Sequence, residues 1–221
     1  MSRTRIKICG LTREADVDDA VEAGADALGF NLWAGSRRGI ALDRATRLAA
    51  RLPPFVTPVL LFVNASPSEV LRASEALPQA LLQFHGDETA SECERAGRPY
   101  LRAVAMAEGG DLLDFAARWR ESAGGDRSHL QGLLLDTPSA GYGGSGKVFD
   151  WSLVPANVAC PLVLSGGLNP ATVIEGVLAV RPWAVDVSSG VEDGVKGVKN
   201  AALMRRFCKA VREADARLAA L

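Results

Sequence analysis

Leu162-Val-Leu-Ser-Gly-Gly-Leu-Asn-Pro170, with the helical pattern that follows over 171–180, holds one whole strand–turn–helix unit. The three apolar residues read as a short buried strand. Ser165-Gly166-Gly167 reads as a turn, where glycine opens backbone conformations closed to other residues. Asn169-Pro170 reads as a helix cap followed by proline at the first helical position. Outward from this stretch the same unit recurs along the chain. Strands are predicted over 6–10, 27–32, 58–63, 81–86, 100–106, 132–136, 162–165 and 184–188. Helices are predicted over 14–23, 43–52, 68–77, 89–96, 111–121, 171–180 and 201–219, with a short one after Phe149. Ser66-Pro67 repeats the cap signal, and Gly24 stops the first helix. Such alternation implies parallel strands joined by right-handed crossovers. Eight units favour closure, so the expected fold is α/β, a single (β/α)8 TIM barrel over residues 1–221. The runner-up, an open doubly wound sheet, usually carries GxGxxG after its first strand, whereas this chain reads Cys9-Gly10-Leu11-Thr12.

The bulk properties suit that fold. The chain has 221 residues, of which 48% are hydrophobic and 23% charged, and a net charge of −1. No lysine- or arginine-rich block marks a nucleic-acid footprint. No apolar run approaches the roughly 20 residues that span a bilayer, and the N-terminal residues lack a signal core. A soluble cytoplasmic protein, binding neither nucleic acid nor membrane, is expected. A substrate anion, such as a small phosphorylated molecule, would be held by local groups rather than by the field of the whole protein. Cys9, Cys93, Cys160 and Cys208 form no CxxC pair, and with only His85 and His129 to join them they argue against a zinc cluster. Cys93, Cys160 and Cys208 read as small buried hydrophobes.

Active sites of βα barrels lie at the C-terminal ends of the strands. Falling there are Cys9, Arg37, Arg38, Asn64, His85, Asp136, Ser165-Gly166-Gly167 and Ser188-Ser189-Gly190. The loops after strands seven and eight are this fold's recurrent phosphate site, so Gly166, Gly167, Ser189 and Gly190 are candidate phosphate binders. Plain tight turns would need the same glycines. Residues 141–147, Gly-Tyr-Gly-Gly-Ser-Gly-Lys, match GxxxxGK, but Val148 stands where a P-loop has Ser or Thr. A lid closing over substrate is the better reading.

Alternation along the first strand puts Lys7 and Cys9 on one face and Ile6 and Ile8 on the other. With the isoleucines against helices, Lys7 and Cys9 point into the barrel, and the ammonium would lower the thiol pKa, as a base requires. Asp136 follows three leucines and would be partly desolvated, which suits an acid. Either residue alone would read as structural, a buried thiol or a loop cap.

Several segments together resemble the phosphoribosylanthranilate isomerase family. They are Lys7-Ile-Cys-Gly-Leu-Thr12, Leu82-Gln-Phe-His-Gly86, Leu134-Leu-Asp136 with Gly143-Gly-Ser-Gly-Lys-Val-Phe-Asp-Trp151, Leu164-Ser-Gly-Gly-Leu-Asn-Pro170 and Val185-Asp-Val-Ser-Ser-Gly-Val-Glu192. The resemblance implies an isomerase of tryptophan biosynthesis. Its reaction is the Amadori rearrangement of N-(5-phosphoribosyl)anthranilate, without metal or organic cofactor, in a monomer or homodimer. It implies Cys9 as general base, Asp136 as general acid and Arg38 as the holder of the anthranilate carboxylate. The segment Asn31-Leu-Trp-Ala-Gly-Ser-Arg-Arg-Gly39 departs from the family pattern. Gly35 and Gly39 are expected to loosen it, leaving Arg37 and Arg38 both in play, with Arg38 favoured by spacing. His85 would either line the pocket or hold a strand end. Asp186, beside the first strand, would pair with Lys7 or orient Arg38. Competing readings are another phosphosugar barrel and a non-catalytic phosphate-binding barrel. Of the former, the histidine-pathway aminoaldose isomerase would want an aspartate in place of Cys9, and indoleglycerol-phosphate synthase an additional lysine.

Overall fold

The computed structural model describes residues 3–106, 111–138 and 148–220. The segment 141–147, read above as a lid, lies outside the described residues. Eight parallel strands follow chain order: β1 (Arg5–Cys9), β2 (Ala27–Asn31), β3 (Thr57–Phe62), β4 (Leu81–Phe84), β5 (Tyr100–Ala105), β6 (Leu130–Asp136), β7 (Leu162–Leu164) and β8 (Ala184–Val187). β8 pairs back onto β1, with Lys7 opposite Asp186, so the barrel closes and the open sheet is excluded.

Seven α-helices lie among the described residues: α1 (Glu14–Ala23), α2 (Leu42–Ala49), α3 (Pro67–Ala76), α4 (Ala90–Glu94), α5 (Leu112–Ser122), α6 (Val173–Val180) and α7 (Ala201–Ala219). Among the described residues between β6 and β7 there is one 3₁₀ turn, Trp151–Leu153. Ser66 and Glu69 form a capping box on α3, as do Thr89 and Glu92 on α4. Such a cap satisfies two orphan N–H groups and contributes about 1 kcal/mol. Gly24 ends α1 at φ 89°, a left-handed conformation. Asn169 accepts from the N–H groups of Ala171 and Thr172, at 2.8 and 3.2 Å, but a turn intervenes and α6 starts only at Val173. Among the described residues no helix is long and apolar enough to cross a membrane.

Period-two alternation sorts the strand residues into two cores. Ile6, Ile8, Leu133 and Leu135 pack outward against the helices. Leu101, Ala103, Leu134, Val163 and Ala184 fill the barrel itself. Above them Cys9, Leu61 and Val63 form a separate cluster with Trp33 packed on it. Cys93 and Cys208 are buried, whereas Cys160 is only half-buried, contrary to expectation. Burial pushes the Cys93 thiol up to about 12 and the Cys208 thiol up to about 11, so neither is a nucleophile at neutral pH.

Candidate active site

A cleft of about 320 Å³ opens at the C-terminal end of the barrel. It brings together Cys9, Arg38, His85, Asp136, Gly166, Gly167, Asp186 and Ser189 from loops and strands across the whole chain. Gly190 is not on the cleft wall. A Cβ there would lie 1.9 Å from the Leu168 carbonyl oxygen, so this glycine lets the β7 and β8 loops touch. Gly166 and Gly167 have φ of 78° and 67°, conformations costly for other residues. Their N–H groups have no acceptor among the described residues, and both glycines line the cleft.

Cys9 and Lys7 do point into the barrel, but the expected direction of the thiol shift is reversed. Burial pushes the Cys9 thiol up, and the adjacent Lys7 ammonium, which pulls it down, does not offset that. Lys7 donates to Asp186 at 2.8 Å in a buried pair, which settles Asp186 as partner of Lys7 rather than of Arg38. Gly29 on β2 makes room for the thiol, since a Cβ there would come within 2.7 Å of Cys9 Sγ.

Arg38 is buried and Arg37 exposed, so of the two only Arg38 is fixed in place. The Arg38 stem crosses Gly10, where a Cβ would lie 2.5 Å from its Cδ. Its Nε and Nη2 donate to the two carboxylate oxygens of Glu192, each at 2.7 Å. Lys199 Nζ donates to the same carboxylate at 2.9 Å and to the Ser188 carbonyl at 3.0 Å. Two cations around one anion leave a positive balance for a ligand anion. Gly35 and Gly39 do not loosen this loop. A Cβ on either would fall within 2.5 Å of Trp33, and Ser36 N donates to Trp33 O at 3.1 Å in a tight turn.

Burial alone would raise the Glu192 carboxyl, but the Arg38 and Lys199 contacts hold it down to about 2. A depressed carboxyl stabilises the fold above its ordinary value of 4.5, and that contribution is lost as pH falls toward 2. Unfolding in urea at pH 7 and pH 3 is expected to show a smaller acid loss for Glu192→Gln than for the parent. Equal losses would mean that Glu192 does not carry the acid sensitivity.

Asp136 sits at the end of β6, where Oδ2 meets His85 Nε2 at 3.1 Å and Oδ1 accepts from Thr137 N at 2.9 Å. His85 both lines the cleft and holds a strand end, so its two alternatives merge. Asn64 is at the end of β3 yet turns away: Oδ1 accepts from Asp87 N at 2.7 Å, and its own N–H goes to Glu88. Sequence reasoning missed Lys199, and Gln83 had surfaced only within the segment Leu82-Gln-Phe-His-Gly86. Glu192 had surfaced only within a motif. Among the described residues no three His, Cys, Asp or Glu side chains are grouped to hold a metal ion.

Comparison with known proteins agrees with this geometry. The family model for N-(5'phosphoribosyl)anthranilate (PRA) isomerase matches residues 6–210. The N-(5'-phosphoribosyl)anthranilate isomerase of Methylibium petroleiphilum is 63% identical over 99% of this chain and 98% of its own length. That of Leptothrix cholodnii is 62% identical over 98% and 94%. The phosphoribosyl anthranilate isomerase of Thermotoga maritima superposes with a TM-score of 0.84 at 39% identity, covering 95% of this chain and 99% of that one. A solved complex of such an isomerase with reduced 1-(o-carboxyphenylamino)-1-deoxyribulose 5-phosphate gives 0.81 at 36% identity, with the same coverage. A closed eight-stranded barrel, a cleft pairing a thiol with a carboxyl, and a family match across nearly the whole length lead to one statement: this chain belongs to the N-(5'-phosphoribosyl)anthranilate isomerase family.

Proposed function

We propose that the cleft isomerises N-(5'-phosphoribosyl)anthranilate to 1-(2-carboxyphenylamino)-1-deoxyribulose 5-phosphate, with Asp136 as general acid and Cys9 as general base. The observation that carries this reading is the placement of a buried thiol and a buried carboxyl on the walls of one cleft. Asp136 gives its proton to the furanose ring oxygen as the C1′–O bond breaks, and the aniline nitrogen lone pair forms the Schiff base. The Cys9 thiolate then removes the C2′ proton, and the electron pair moves through C2′–C1′ to neutralise the nitrogen. The resulting enolamine takes a proton at C1′ and loses one from the C2′ hydroxyl, leaving the ketone. Proton gain and loss balance, and no oxidant is needed.

The raised thiol has a definite consequence. Less of it is ionised near neutrality, but each thiolate is a stronger base, and Lys7 is placed to hold the anion once formed. Turnover therefore rises with pH through the neutral range. Arg38 has given two N–H groups to Glu192 and keeps the rest of its fork for the anthranilate carboxylate. The free N–H groups of Gly166 and Gly167, with Ser189 beside them, support phosphate binding. Gly190 supports it only indirectly, by joining the two loops.

The test is loss of phosphoribosylanthranilate fluorescence with purified protein in the presence of a strong chelator. Turnover is expected to persist, and inorganic phosphate is expected to raise KM without lowering kcat. Activity restored only by a divalent cation would contradict the acid–base reading, and absent turnover under all conditions would favour a non-catalytic barrel.

A further inference from the structure

Gln83 is wholly buried in the wall of the barrel, and its side-chain oxygen Oε1 has no hydrogen-bond partner among the described residues. Leaving a buried amide oxygen unpaired costs about 1–3 kcal/mol. Its position on β4 explains where the amide is directed. Leu82 and Phe84 pack against the helices, so Gln83 between them faces inward. There its Nε2 stands 2.9 Å from His85 Nδ1, and His85 Nε2 stands 3.1 Å from Asp136 Oδ2. Three side chains thus form a chain that ends on the proposed acid.

The direction of that chain follows from donor and acceptor counting. With the amide nitrogen facing Nδ1, one acceptor, Oε1, is orphaned. An amide nitrogen can only donate, and it is the nitrogen that faces Nδ1. The nitrogen therefore donates to Nδ1, which must be a lone pair, and the imidazole proton resides on Nε2. His85 then meets Asp136 as a neutral N–H donor. A hydrogen on Nδ1 would point at the amide N–H groups, so this contact selects the Nε2–H tautomer.

We propose that Gln83 is a positioning residue for the reaction, holding His85 as the neutral Nε2–H tautomer so that Asp136 meets a neutral N–H donor and no adjacent cation. The inference rests on Asp136 being the acid and adds why an amide is buried two residues before the histidine. The other charged groups near this chain have partners of their own. Arg102 pairs with Glu88 at 2.9 Å and Lys7 with Asp186, while Arg38 and Lys199 share Glu192 on the β8 side of the barrel mouth. Cys9 lies on β1, outside this three-residue chain.

Gln83→Glu keeps the shape but places a carboxylate against Nδ1, which favours the imidazolium. Gln83→Met keeps the volume and removes the donor. The expected result for Gln83→Glu is a kcat reduced by ten-fold or more, within the ~10²–10⁴-fold that a positioned acid contributes. Its KM should stay near that of the parent, since Gln83 borders the cleft without exposing surface to it, and its pH optimum should move to lower pH. Gln83→Met should lose less kcat and keep the parental pH optimum. Nitrogen chemical shifts of His85 in the parent are expected to show the neutral Nε2–H tautomer at neutral pH. They report on the tautomer even if Gln83→Glu does not fold or the parent does not turn over this substrate. A parent His85 in the Nδ1–H or charged form would overturn the proposal while leaving the catalytic reading intact. So would a folded Gln83→Glu with parental kcat and pH profile. A neutral Nε2–H histidine in a protein without turnover would support the positioning and sink the catalytic reading instead.

Discussion

Cys9→Ser is expected to lower kcat by about 10²–10⁴-fold while the fold persists, and Asp136→Asn by a similar factor. Serine fits where the thiol fits against Gly29, but its hydroxyl does not ionise near neutral pH. Asparagine keeps the size and can still accept from Thr137 N at the end of β6, yet has no carboxyl proton to give. The two groups act on successive steps through one intermediate, so the losses need not multiply in the double variant. Binding of a product analogue should survive in both, because Arg38 and the β7 and β8 loops supply it. Folded variants with near-parental kcat would remove the corresponding residue from the mechanism.

Lys7→Met carries the largest expected effect on stability. It leaves Asp186 buried without its cation, and breaking a buried pair in this way costs about 3–5 kcal/mol. Adding Asp186→Leu should recover much of the loss, since an apolar pair of similar volume needs no compensation. Burial opposes the Lys7 charge, but Asp186 and Cys9 override it, so its folded value is raised above 10.5. The pair's contribution is thus fully present at neutral pH and is lost only as pH climbs through that raised value. Urea unfolding at neutral pH measures the difference. A Lys7→Met loss below about 1 kcal/mol would show that water or rearrangement compensates Asp186.

Much of this was legible in the residues because it is local. The alternation in Ile6-Lys-Ile-Cys9 assigns the two faces of β1, and α7 begins and ends where its pattern does, at Ala201–Ala219. Glycine at C′ and serine before proline mark helix ends by backbone chemistry that needs no neighbours. What escaped depends on contacts remote in sequence. Arg38 and Glu192 are 154 positions apart and meet only when β8 closes on β1. Gly35 and Gly39 read as loosening because nothing in the sequence shows Trp33 folded over them. The thiol shift was misjudged because a neighbouring lysine is visible in the sequence, whereas the burial that outweighs it is not.

The division of labour between Asp136 and Cys9 can be read from substrate carrying deuterium at C2′. In Cys9→Ser, removal of that hydrogen becomes the slow step, so single-turnover rates should drop markedly with the deuterated substrate. In Asp136→Asn, ring opening is slow and precedes C–H cleavage, so the same substitution should change the rate little. An isotope effect expressed equally in both variants, or expressed in Asp136→Asn and absent from Cys9→Ser, would contradict the assignment of base and acid.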